Sequence, residues 1–298
     1  MEVRKVKNAI YKILSVIVPD KMYLKMKFRL KMNKKLDLNQ PKTFNEKLQW
    51  LKLNDRKDIY TIMVDKYEVK KYVANIIGEE HIIPTIGIYD KFDNIDFDKL
   101  PNQFVIKCTH DSGGLVIVKD KSKINIDKIR KKINKHLKRD YYFLGREWPY
   151  KNVQPRIIVE KYMSNNGKEL EDYKIHNFNG NPKLILVCKD RYTNVGLTED
   201  FFDENWNHLD VKRPNHSNSI EIINKPNKLD EMLKLSKKIS KNIPFVRTDF
   251  YIINNKIYFG EMTFFPASGF EKFVPESYDQ LFGAWIELPK KIKKGNNI

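Results

Sequence analysis

Residues 244–270 read PFVRTDFYIINNKIYFGEMTFFPASGF, and this stretch decides the fold. Two runs rich in aromatic and β-branched residues flank Asn254-Asn255-Lys256, which predicts an antiparallel hairpin. Centred on Asn255, the hairpin sets Asp249 and Glu261 equally far from the turn, so two carboxylates meet at its open end. Like charges held that close repel unless a cation lies between them. Hard oxygen donors on neighbouring strands, with Thr263 two residues on along the same face, suit Mg²⁺, which takes one or two carboxylates and fills its shell with phosphates. Arg247 shares a face with Asp249 and points into the same place. Two acids on a hairpin can also be plain solvated groups, so the weight falls on the rest of the chain.

Working outward, Leu229 to Lys241 is an amphipathic helix. DYKIHNFNG and NPKLILVCKD form a second hairpin across Asn179-Gly180, and RIIVEKYM is a strand. Asp127 to Arg139 reads as a helix, and FVIKCTHDSGGLVIVKD as strand, polar loop and strand. Residues 81–90, HIIPTIGIYD, are extended. Further upstream, Thr43 and Glu46 make a capping box that opens a helix, and a second helix runs from Asp65 to Ile77 with Gly78 closing it. The polar stretch from Asn194 to Asn227 takes no assignment. Helices first and antiparallel hairpins later indicate an α+β protein.

The chain has 298 residues, ample for a core, and a formal charge of +18. Cys108 and Cys188 are too few for a disulfide framework and wrongly spaced for zinc, which suits a reducing compartment. No leader and no apolar run of about 18 residues is visible, so the expectation is cytoplasmic. The charge is concentrated: residues 1–36 carry eleven Lys or Arg against Glu2 and Asp20. Nucleic acid is not expected as a partner, because no recognition motif accompanies the charge. Instead Val3, Val6, Ile10, Ile13, Leu14 and Ile17 line one side of a basic helix, the pattern of a segment that lies on an anionic membrane or docks on its own protein.

Lys107 ends a strand just before Ser112-Gly113-Gly114, a turn whose N–H groups can approach a phosphate. No P-loop signature is present, and Ser-Gly-Gly is also a common hairpin turn. Glu160-Lys161-Tyr162-Met163 ends a buried strand, where main-chain groups can meet a flat heterocycle. Lys174 follows on another strand, then Arg247-x-Asp249 and Glu261-x-Thr263. That order is more specific than any of its members.

In PKTFNEKLQWLK, DKYEVKKYV, LPNQFVIKCTHDSGG, DYKIHNFNG, VRTDFYIINNKIYFGEMTFFPASGF and the closing ELP, the chain resembles the TupA-like group of the ATP-grasp superfamily over roughly residues 38–290. The resemblance implies nucleotide clamped between two antiparallel sheets, with ATP and Mg²⁺ as cofactors. Beyond the basic segment over 1–37, which charge and periodicity mark, it implies an N-terminal part over 38–100, a lid over 101–165 and a metal and acceptor part over 166–298. By position, Lys107 and Lys174 match the phosphate lysines, Ser112, Gly113 and Gly114 the closing glycine loop, and Glu160, Lys161 and Met163 the adenine hinge. Asp249 and Glu261 match the metal carboxylates and Arg247 the arginine near the transferred group. Ser268 and Gly269 match the hold on the acceptor's carboxylate. Thr263 departs from the family, which usually has Asn there.

The activity implied is an ATP-dependent carboxylate–amine ligase of surface-polysaccharide synthesis; apart from the resemblance, Lys189 and Arg191 at a strand end read either as acidic-substrate contacts or as solvated charges. Two other readings stand beside it. A glycosyltransferase would use Asp96-Phe97-Asp98 for a metal and a diphosphate, although that triplet sits in a polar stretch. A non-catalytic membrane scaffold would need none of these residues.

Overall fold

The structure, a computed structural model, describes residues 17–165, 170–191, 193–194 and 196–290. The helix expected over 3–18 lies outside them but for its last two residues. Among the described residues, nine strands make two antiparallel sheets. The smaller contains β1 (Thr85–Tyr89), β2 (Phe104–Cys108), β3 (Leu115–Val118) and β4 (Ile157–Lys161), in the order β1-β4-β2-β3. The larger contains β5 (Asp172–Phe178), β6 (Asn181–Lys189), β7 (Thr198–Asp203), β8 (Phe245–Ile253) and β9 (Lys256–Thr263), in the order β7-β6-β5-β8-β9. β7 comes from the stretch that the sequence left unassigned.

The hairpin β8–β9 differs from expectation in one way that matters. Asn254 and Asn255 both have left-handed backbone, with φ of 50° and 59°, so the turn has two central residues rather than three. That turn opposes Phe250 to Phe259 and by itself would set Asp249 against Gly260. The register instead shifts by one residue, and Asp249 faces Glu261. The expected pairing therefore exists, but a β-bulge at Gly260 produces it, not a symmetric centre at Asn255. Without the bulge Glu261 would project from the other face of the sheet. A Cβ on residue 260 would lie 2.9 Å from the Tyr251 ring and 3.2 Å from the Asp249 carbonyl, which is why a glycine stands there.

The helix Phe44–Asn54 opens with the expected capping box, in which Thr43 accepts from the Glu46 N–H and Glu46 accepts from the Thr43 N–H. The helix expected from Asp65 to Ile77 starts three residues later, at Glu68, and a separate short helix, Ile59–Val64, precedes it. Asp65 explains the break, since its carboxylate accepts from the N–H groups of Tyr67 and Glu68 and competes with a helix running through it.

Two cores result. Phe44 packs among Phe178, Phe245, Phe273 and Phe282, its ring 4.9 Å from that of Phe245 in an edge-on contact. Here the N-terminal helices close on the larger sheet. The helix Ser277–Trp285 joins them through Gly283, where a Cβ would come within 2.2 Å of the Lys42 carbonyl. Asn45 fastens the same junction, donating to Asp279 and to the Glu271 carbonyl. The second core lies under the smaller sheet and unites Phe104, Ile106, Ile157 and Val159 with Ile129 and Ile133 of the helix Ile126–Leu137. Phe92, Ile95 and Leu100 belong to it as well. The smaller sheet thus draws β1 and its following loop from before residue 101.

Candidate active site

On the larger sheet, β5, β8 and β9 bring five predicted residues into one network. Register pairs Lys174 with Asp249 and Arg247 with Thr263. Arg247 grips Asp249 with two hydrogen bonds, Nε to Oδ1 at 2.6 Å and Nη2 to Oδ2 at 2.8 Å. The same Nη2 reaches Glu261 at 3.2 Å and the Thr263 hydroxyl at 3.0 Å. Lys174 lies 2.6 Å from Asp249 and 3.4 Å from Asp172. Asp172 also holds Arg191 at 3.2 Å, which ties that residue to the network. Burial alone would raise the Asp249 carboxyl, but Arg247 and then Lys174 outweigh it and bring it down to about 2. Burial likewise works against the charge on Lys174, and Asp249 reverses the direction, so that lysine titrates above its ordinary value. Glu261 differs from its neighbour: its side chain is 41% exposed, that of Asp249 1%.

On the smaller sheet, Glu160 is buried between Lys107 at 2.6 Å and Lys70. Burial opposes its charge, yet Lys107 and Lys70 hold its carboxyl below the ordinary value. Lys107 is raised: burial acts against it, Glu160 more than compensates, and Glu261 and Asp172 add to the effect. Those last two acids belong to the larger sheet, so charge from both sheets favours the protonated form of Lys107. The Lys161 N–H is bonded to the Pro84 carbonyl, its side chain is exposed, and Met163 lies beyond the end of β4.

The glycine turn is anchored from behind. Asp111 is hydrogen-bonded to His136, Lys66 donates to the Asp111 carbonyl, and Arg139 donates to the Ser112 carbonyl. Gly113 has φ of +96°. A Cβ on Gly114 would lie 2.7 Å from Asp111 Oδ1.

Ser268 and Gly269 lie in a turn where Ala267 and Ser268 both take left-handed φ, 46° and 56°. Gln49 donates to the Gly269 carbonyl at 2.5 Å, and the fully buried Lys52 donates to the Ser268 carbonyl at 2.8 Å and the Gly145 carbonyl at 2.7 Å. The Ser268 hydroxyl is bonded to Glu147, whose carboxyl is raised by burial against the pull of Lys52. The Tyr150 hydroxyl is raised well above its ordinary value by burial and then by Glu147, Tyr141 and Glu261.

Sequence reasoning missed Lys52, Lys70, Glu147, Tyr150 and Asp172. Asp172 begins the quoted DYK motif, two residues before Lys174 and so on its face of the strand, and this spacing could have flagged it. The others come from distant segments, and no local pattern marks them. Both thiols are buried and pushed up to about 12, Cys188 by burial and Cys108 by burial and then Asp111, so neither is a ready nucleophile. The Asp96-Phe97-Asp98 triplet forms an exposed loop in which Asp96 accepts from the Asp98 N–H and pairs with Lys99 at 2.8 Å.

The sequence model of the TupA-like ATPgrasp family matches residues 46–287, within the span over which the motifs resemble that group. Among solved structures, D-alanine–D-alanine ligase from Bacillus anthracis, complexed with ATP, is 19% identical over 68% of this chain and 55% of that chain, with a TM-score of 0.42. D-alanine–D-alanine ligase from Helicobacter pylori is 16% identical over 82% and 69%, with a TM-score of 0.40. The biotin carboxylase domain of 2-oxoglutarate carboxylase from Hydrogenobacter thermophilus, in complex with MgADP, is 14% identical over 68% and 40%, with a TM-score of 0.37. The chain thus spans 55% of the length of the Bacillus ligase. Among curated proteins, none matches the sequence.

Proposed function

Because the chain belongs to the TupA-like ATP-grasp family, we propose that it is an ATP-dependent carboxylate–amine ligase whose nucleotide lies between the two sheets. The observation that carries this reading is the convergence of Asp249, Glu261 and Thr263 on one guanidinium nitrogen of Arg247. Three oxygen donors around a point that already accommodates a cation fit Mg²⁺. When bound there, Mg²⁺ would draw charge from the phosphates of ATP, and Asp249, Glu261 and Thr263 would hold it.

The chain's own residues then divide the work. Lys107 and Lys174 neutralise phosphate oxygens from opposite walls, each kept protonated by its buried acid. Ser112, Gly113 and Gly114 supply N–H groups to the phosphates, and the main chain at Lys161 and Met163 meets the base. Glu160 sets the position of Lys107. A substrate carboxylate takes the γ-phosphoryl of ATP, and an amine displaces phosphate from the acylphosphate. Arg247 stabilises charge at the transferred group, a role worth about 3 kcal/mol for a single donor. The turn at Ser268 and Gly269, clamped by Lys52 and Gln49, borders the acceptor side.

The motifs favour a uronic acid or similar carboxylate on a surface polysaccharide as acceptor, with an amino acid or amine joined to it. Such work would be done in the cytoplasm, at the inner face of the membrane, with residues 1–36 touching anionic lipid. Incubation with ATP, Mg²⁺, hydroxylamine and a panel of uronic and amino acids tests the chemistry. Acid-dependent release of ADP together with a hydroxamate is the expected result. ATP consumption that no acid stimulates, or sugar transfer from a nucleotide donor, rules the ligase reading out.

A further inference from the structure

The helix Asp20–Met32 buries Tyr23, Leu24 and Phe28 against the protein. Its outer half is not simply polar. Met22, Met26 and Leu30 succeed one another every fourth residue and are 55%, 45% and 70% exposed, so one row of the helix presents a continuous apolar edge to solvent. Lys21, Lys25 and Arg29 form the neighbouring row and are also exposed. Beside them is a cleft of about 330 Å³ lined by Lys25, Arg29, Lys35 and Leu36. No helix among the described residues is long and apolar enough to cross a membrane.

We propose that the outer face of the helix Asp20–Met32, with its basic cleft, docks on an anionic phospholipid bilayer. A bilayer offers anionic headgroups and an apolar layer at adjacent depths, and the two rows of this helix match both at once. A nucleic acid would answer Lys25, Arg29 and Lys35 and leave Met22, Met26 and Leu30 in water. A second copy of the chain would bring the same cations together. The segment 1–16 is itself basic, with Arg4, Lys5, Lys7 and Lys12 against Glu2, so it offers no acidic groups to answer the row of Lys21, Lys25 and Arg29. In the docked state the apolar row sits at the level of the upper acyl chains, and the cations meet phosphate at the headgroups.

The inner side of the same helix gives the contact a use. Lys27 donates to the Leu144 carbonyl, and Tyr23 does so at 3.1 Å. Arg146 is ion-paired with Asp20 at 3.1 Å. The helix thus backs the 142–147 segment that carries Glu147, the partner of Ser268. On the ligase reading, docking would bring the acceptor side of the site towards membrane-bound material. The docking itself stands independently of that reading, because binding to vesicles needs neither ATP nor a substrate.

The full chain is sedimented with phosphatidylglycerol vesicles and with phosphatidylcholine vesicles at low and high salt. Two variants accompany it, Met22→Gln/Met26→Gln/Leu30→Gln and Lys25→Gln/Arg29→Gln/Lys35→Gln. All six positions lie on the outer rows or the cleft rim, so unchanged melting temperatures are expected and are checked first. The wild type should bind phosphatidylglycerol vesicles selectively and release in high salt. Each cation near an anionic surface is worth about fivefold in affinity, so the basic variant should bind about 100-fold more weakly. The apolar variant should lose at least about tenfold. A wild type that stays in the supernatant at low salt overturns the proposal, as do variants that bind as well as it does. The same holds if inorganic phosphate releases the protein while the apolar variant binds normally, for then the cleft is a site for free phosphate.

Discussion

Each sheet holds one buried carboxylate clamped between two cations, yet the two clamps are poised oppositely. On the smaller sheet Lys70 and Lys107 share Glu160, an excess of positive charge, and Lys107 is its more exposed cation, at 25% against 13% for Lys70. On the larger sheet Arg247 and Lys174 face Asp249, Glu261 and Asp172, and the exposed member is the acid Glu261. One wall offers a cation and the other a carboxylate. A polyphosphate with a divalent cation fits between walls of this kind, because its own charges alternate in the same order. The difference also assigns tasks: the buried acids keep the cations in place, and the exposed groups meet ligand.

The strongest way to break this comparison is at Glu261. Glu261→Gln keeps shape and removes charge from an exposed position, so turnover should fall by about 10³-fold or more while the melting temperature stays within about 2 °C. Turnover near that of wild type would show that the acid wall does not hold a metal.

Next come the lysines. Lys107→Ala and Lys174→Ala should each weaken ATP binding by about 1.5–3 kcal/mol, the range for a hydrogen bond to a charged group, read by calorimetry without acceptor. The walls should then differ in stability. Lys107→Ala leaves Glu160 paired with Lys70, whereas Lys174→Ala removes one of two cations from the more deeply buried Asp249 and should lower the melting temperature more. Equal losses would erase the distinction between the walls.

Gly260→Ala attacks the bulge that turns Glu261 onto the face of Asp249. Crowding against the Asp249 carbonyl and Tyr251 should cost about 1–3 kcal/mol of stability. Because the bulge sets the pairing, kcat should fall with it. Lost stability with unchanged kcat would show that the register survives without the glycine.

The smallest expected effect is in acid. The Asp249 carboxyl titrates at about 2 in the folded chain, below the ordinary value near 4 of an unfolded Asp. Its contribution to stability is therefore complete above about pH 4 and lost as the pH falls towards 2. Asp249→Asn should flatten that part of the curve of melting temperature against pH. A slope identical to that of wild type would mean that other acids account for it.

How much of this was legible in the sequence follows from how local each cause is. Asn254-Asn255 and Asn179-Gly180 announce turns through residues that tolerate left-handed backbone. Thr43 and Glu46 announce a cap, and Arg247, Asp249, Glu261 and Thr263 share a face by strand alternation. Gly260 stands in the same stretch, but a glycine in a strand does not say which residue it shifts, so sequence alone centres the pairing on Asn255 where the bulge in fact sets it. The helix expected to begin at Asp65 begins at Glu68, because the Asp65 side chain takes the N–H groups of Tyr67 and Glu68. Glu160 was read as part of a hinge and is also the acid that holds Lys107, a contact between strands set by register. Lys52, Glu147 and Tyr150 converge from separate segments, and only the packed fold brings them together.

The central claim is that the gap between an acidic and a basic wall holds a metal–nucleotide. A crystal structure grown with a non-hydrolysable ATP analogue and Mn²⁺ tests this most directly, since Mn²⁺ is located by its anomalous signal. The expected result is a Mn²⁺ peak on Asp249 and Glu261, phosphates between Lys107 and Lys174, and Arg247 turned from Glu261 towards the γ-phosphate. Nucleotide bound elsewhere, or a gap in which Arg247 still grips both acids with no metal peak at saturating Mn²⁺ and analogue, would contradict it.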